Sequence, residues 1–157
     1  MKNYTILFMM LAVCCVQCQS EVDGPVSQGY ELELTRSDTL YDDLMSAIQK
    51  GAVISDPFKL KNVYIKDLKL HVEVSYGGGC EKHRFEIVWP DAIIMIYPPQ
   101  FSVILNHNSN GDACEAWLTE TIVIDLKDSP LGFSDDAINS MHITVINGSN
   151  ADETVSN

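Results

Sequence analysis

Basic residues are scarce in this sequence: 10 Lys and Arg stand against 22 Asp and Glu, a formal net charge of −12. They form no Lys/Arg run, which excludes nucleic acid as a partner held by phosphate neutralisation. Internal repeats are absent too, so a solenoid or propeller is excluded. The apolar run from Ile6 to Val16 is too short to cross a bilayer. Cysteine is sparse where a fold would use it. Of the 5 cysteines, Cys14, Cys15 and Cys18 crowd the N-terminus, leaving Cys80 and Cys114 in the body. A scaffold held by disulfides alone is therefore excluded. With 157 residues, 46% of them apolar, the chain is expected to bury one hydrophobic core.

Residues 1–20 have the pattern of an export signal: Lys2, then the apolar run, then polar Gln17 to Ser20. Two processing routes fit. Leu11 to Cys18, followed by Gln19, Ser20, Glu21 and Asp23, resembles the signal of a bacterial lipoprotein. That resemblance implies lipidation at Cys18 and a membrane partner through the N-terminal lipid. Cleavage after Ser20 would instead release a secreted protein. Losing Lys2 leaves 9 basic residues against 22 acidic ones, a net charge of −13. Residues 21–29 are expected to be a tether, 30–147 a single domain and 148–157 a disordered tail.

Within the domain, hydrophobic periodicity is the guide. Leu40, Leu44, Ala47 and Ile48 share a helical face, with Ser37 or Asp38 as cap and Gly51 as terminator. Leu68, Leu70, Val72, Val74 and Tyr76 alternate with polar residues, as in a strand with one buried face. His83, Phe85, Ile87 and Trp89 repeat that parity, as do Phe101, Val103, Leu105 and His107. From Ala116 to Leu126 the even positions are apolar except Glu120, which suggests a bulge or an edge. Met141, Ile143 and Val145 supply a last strand, and Ala92 to Tyr97 is apolar enough for an extra one. The expected fold is mostly β, an antiparallel β-sandwich of immunoglobulin-like size with one short peripheral helix near the N-terminus.

Chemistry concentrates at two turns. Cys80 and His83 follow the glycines at 77–79, and His107 and Cys114 flank the turn Asn108–Asp112. Parity turns His83, His107 and Cys114 inward. If both turns lie at one end of the domain, these four residues form a zinc-type or copper-type donor set, since such ions accept tetrahedral thiolate and imidazole. A Cys80–Cys114 disulfide is the competing reading, expected when two body cysteines reach an oxidising compartment. An extra strand at Ala92–Tyr97 would instead send His107 to the opposite end.

A thiol enzyme is a weaker alternative, with Cys80 as nucleophile, His83 or His107 as base and Asp112 or Glu115 as orienter. No recognised catalytic spacing supports it, so the chain is expected to be non-enzymatic. Asn106 to Asp112 approaches a calcium loop but lacks its terminal Glu, and a hairpin turn is the expected structure. His71 and His142 have outward parity. Asn147, Gly148 and Ser149 form a glycosylation sequon.

VSYGGGCEKHRF at 74–85, with NHNSNGDACEAWLTET at 106–121, resembles a group of uncharacterised exported bacterial proteins. They carry Gly-Gly-Cys-x-x-His ahead of Asp-x-Cys-Glu. The resemblance implies no activity. It marks Cys80, His83, His107, Asp112, Cys114 and Glu115 as the positions to test.

Overall fold

A computed structural model describes residues 29–91, 97–128 and 132–157. The export signal, Cys18 and nearly all of the tether lie outside the described residues, as does most of the apolar stretch 92–97.

The described residues form eight strands and two helices. In chain order they are β1 (Tyr30–Arg36), α1 (Asp38–Gln49), β2 (Phe58–Lys66), β3 (Lys69–Gly78), β4 (His83–Trp89), β5 (Gln100–Asn108), β6 (Ala116–Asp125), α2 (Asp135–Ser140), β7 (His142–Asn147) and β8 (Thr154–Ser156). Two sheets result, one ordered β1-β4-β5-β7-β8 and the other β2-β3-β6.

The inward series of β3, β4 and β5 meet in one core. Leu70, Val72, Val74 and Tyr76 from the smaller sheet pack with Phe85, Ile87, Val103 and Leu105 from the larger. On the far side of the larger sheet, Val88, Ile104 and Ile146 form a second cluster with Ile48, against Leu40, Tyr41 and Leu44. So α1 covers a sheet face, and its start is held by Ser37, whose side chain accepts from Leu40 N. Gly51, at φ 73°, follows its last turn.

Three expectations need correction. The sheets are not wholly antiparallel: β1 runs parallel to β4, and β5 parallel to β7. Alternation reports burial and is blind to strand direction. Each parallel pair becomes feasible because the intervening chain makes a long crossover through the other sheet. The helix near the N-terminus is joined by α2, a six-residue element capped by Ser134 and too short to show a helical period. The tail is ordered rather than disordered. β8 pairs antiparallel with β7, and the Asn157 side chain both accepts from Ile143 N and donates to Met141 O. Its polarity hid a strand held largely by backbone bonds. Glu120 marks an edge, since β6 borders the smaller sheet and keeps unbroken register with β3.

Candidate functional site: a stapled end with a buried histidine pair

The β3–β4 turn and the segment between β5 and β6 meet at one end of the core. Cys80 and Cys114 are joined there by a disulfide with Cα atoms 5.9 Å apart, closing a separation of 34 residues. With both sulfurs in that bond, thiolate ligation or nucleophilic attack would first require its reduction.

A second staple runs beside the first. Asp112 Oδ2 accepts hydrogen bonds from the backbone N–H groups of Gly79, Cys80 and Glu81 at 2.7, 2.8 and 2.9 Å. Its Oδ1 accepts from Cys114 N at 2.8 Å. Three successive amides converging on one oxygen form an anion nest. Glycine makes this nest possible. Gly78 and Gly79 take φ values of 143° and 120°, which side-chain-bearing residues rarely adopt. A Cβ on Gly78 would also lie 2.5 Å from His83 Nε2 and 2.9 Å from Asp112 Oδ2. The amide bonds, led by that of Glu81, hold the Asp112 carboxyl well below the usual carboxylate range.

Behind the nest lie the two histidines. His83 and His107 are 1% and 4% exposed. His83 Nε2 is 3.2 Å from Asp112 Oδ2, and its Nδ1 is 2.8 Å from His107 Nε2. An ionised carboxylate only accepts, so His83 Nε2 carries a hydrogen. His83 Nδ1 and His107 Nε2 share one hydrogen between the two rings. His107 Nδ1 is buried, and no hydrogen bond of good geometry reaches it among the described residues. Burial, reinforced by the His83 charge, pushes the His107 pKa below its ordinary value. The backbone carbonyls of Asp56 and Pro57 face the ring and oppose this.

The rings are wedged among aromatics. His107 stacks on Phe85 with centroids 4.7 Å apart, and Tyr76 sits 4.7 Å from the His83 ring. The Tyr76 hydroxyl donates to Glu120 Oε2 at 2.7 Å. Burial raises the Tyr76 pKa, and that carboxylate raises it further. The backbone of His107 is fixed by Ser55, whose Oγ accepts from His107 N at 2.8 Å, and by Asp56 N, which donates to His107 O. Asp56 Oδ2 in turn accepts from both N and Oγ of Ser109.

Five of the marked residues thus come together: Cys80, His83, His107, Asp112 and Cys114. Glu115 does not join them and lies exposed. The asparagine segment is a turn, with Asn108 Oδ1 accepting from Asn110 N, and the Asp112 carboxylate faces amides. His71 stacks on Tyr64, and His142 is exposed. Asn147 of the sequon is 0% exposed, and its Nδ2 donates to Phe58 O and Glu153 Oε2, so a glycan has no room there. Residue spacing does not reveal Gly78, Ser55, Asp56 or Tyr76 as parts of this site. The run of three glycines was the available signal for Gly78.

No family model matches the chain, nor does any curated protein. Among solved structures, a protein of unknown function (DUF1344) from Bacteroides vulgatus is 14% identical over 82% of this chain, with a TM-score of 0.48. A toxin-related protein from Parabacteroides distasonis is 15% identical over 79%, with a TM-score of 0.43. A NigD-like immunity protein from Bacteroides caccae is 15% identical over 75%, with a TM-score of 0.45. The chain spans 55%, 59% and 52% of their respective lengths.

Proposed function

We propose that the chain is an exported, lipid-anchored, non-enzymatic envelope domain whose stapled end is its working surface. One observation carries the reading: the Cys80–Cys114 disulfide, a bond that persists in an oxidising compartment. The signal pattern of residues 1–20 supports the same address, with Cys18 as the lipidated residue. The facing sheets are read as a sandwich of immunoglobulin-like size, a rigid body on which turns can be displayed. Fractionation tests this. The protein is expected in the membrane fraction with no titratable thiol at positions 80 and 114, and Cys18→Ala should release it. Reduced cysteines in a cytosolic protein would overturn the address, and unchanged membrane association of Cys18→Ala would overturn the anchor.

A metal-handling reading is favoured by one arrangement. Donor atoms of Cys80, Asp112 and Cys114 lie within 4.8 Å of one another. Reduction by a dithiol would turn the disulfide into two thiolates beside that carboxylate, a set suited to zinc or copper(I). Metal analysis of the reduced chain tests it. Stoichiometric zinc lost in Cys114→Ser supports this reading, and a metal-free reduced chain ends it.

A further inference from the structure

Next to the histidine pair, at the same end of the domain, a cavity of about 420 Å³ opens to solvent. Its volume falls in the range typical of small-ligand sites. The lining includes Asp56, Phe58, Lys59, Gly77, His107 and Trp117.

Each wall has a distinct chemistry. Trp117 is 61% exposed, whereas the other tryptophan, Trp89, is 1% exposed. Trp117 is the cross-strand partner of Gly77, and nothing lies within 4 Å of where a Gly77 side chain would begin. The indole therefore has open ground beside it. An exposed Trp offers a flat apolar face with a polar edge. Acceptors dominate the polar lining. Among the described residues, Asp56 Oδ2 takes both Ser109 hydrogens while Oδ1 takes none. Lys59 is exposed and forms no ion pair among the described residues.

We infer that this cavity is a carbohydrate-binding site that stacks one pyranose ring on Trp117, with a hydroxyl donating to Asp56 Oδ1 and Lys59 donating to a ring or hydroxyl oxygen. A pyranose supplies what these walls ask for: a flat C–H face and several hydroxyl donors on one small frame. An extended peptide offers few donors away from its backbone, which would seek a sheet edge. A polyanion is disfavoured by the net charge of −12. The Asp56 Oδ1 oxygen, which takes no hydrogen from the described residues, is the second, independent sign. This deepens the proposed function by giving the working surface a ligand class, and it is tested in solution, independently of where the protein resides.

The experiment uses the full chain purified in its oxidised form. An array of neutral and carboxylate-bearing oligosaccharides finds the best binder, and calorimetry with that oligosaccharide measures it. A parallel array of pentapeptides serves as the competing class. The sugar is expected to shield Trp117 from iodide quenching, a signal that Trp89 is too buried to give. Trp117→Ala should weaken binding about tenfold or more, in keeping with an aromatic anchor, and Lys59→Ala should weaken it less. Tyr97→Ala, an exposed aromatic beyond the other end of β5, should leave it unchanged. Both Trp117 and Lys59 are exposed, so each variant is checked for unaltered unfolding. Three results would each overturn the assignment: no oligosaccharide bound at about 10 mM, a range that would reveal even millimolar affinity; sugar binding indifferent to Trp117→Ala; or Trp117-dependent binding of peptides alone.

Discussion

In the middle of the core, Leu70, Val72, Val74, Ile122 and Ile124 are sealed by aliphatic contact, whereas at the end beyond Tyr76 the same layer is filled by His83, His107 and the Asp112 carboxylate. The two regions share strands and inward parity. They differ in what holds them. The middle relies on non-directional burial, worth about 1.5–3 kcal/mol for each large side chain. The end relies on directional bonds with required partners: a disulfide, four amides on one carboxylate, and a chain of two imidazoles. Burial alone would have made a more tolerant end. What the polar construction adds is a fixed shape.

The largest test of this difference removes the covalent staple. Replacing Cys80 and Cys114 together by Ser should lower stability by about 4 kcal/mol, the chain-entropy value for a loop of this length. Urea unfolding measures it. Hydrogen exchange then locates the change. Amides of residues 79–81 and 114 should lose protection, while those of Leu70 to Val74 should follow only the global loss. Uniform loss with no excess at the turns would break the distinction between the regions.

A smaller effect is expected from the glycines, and it separates neighbours. Gly78→Ala meets both a φ of 143° and the His83–Asp112 pair, and should cost about 1–3 kcal/mol in unfolding experiments, the range for strained backbone. Gly77→Ala has open space, and its cost should be within about 0.5 kcal/mol, as at an ordinary surface position. Equal costs would mean that the nest does not depend on Gly78.

Much of the middle was legible in the sequence, because Leu70 to Tyr76 alternate without interruption, Phe85, Ile87 and Trp89 share one parity, and alternation is a direct image of one buried face. The convergence of Cys80, His83, His107 and Cys114 was legible by the same parity, although the metal and disulfide readings weighed the same atoms. Strand direction was not legible, since β1 and β4 read identically whether parallel or antiparallel. The order of the tail was hidden because Asn147 and Asn157 act through amide hydrogen bonds, which leave no hydrophobic period. Asp56, Ser55 and Ser109 were hidden for a related reason: they reach His107 and each other across more than 50 residues.

The smallest effect, and the most discriminating, is the response to acid. The middle holds no titrating side chain and should be silent. At the end, His107 has a folded pKa below its ordinary value of 6.5. Its neutral form is therefore favoured by folding, and its contribution is complete above the unfolded pKa. As pH falls through about 6.5 the unfolded chain takes a proton that the folded chain refuses, so stability declines, at up to about 1.4 kcal/mol per pH unit for one proton. Asp112 acts lower on the scale. Its folded pKa is depressed from 3.8, so the stability it adds is present above that value and is lost as the unfolded carboxylate protonates below it. Two acid steps are expected from one end of the molecule. Urea midpoints between pH 8 and pH 3 would resolve them: His107→Gln should flatten the upper step, and Asp112→Asn the lower. An upper step that survives His107→Gln would move the titration elsewhere.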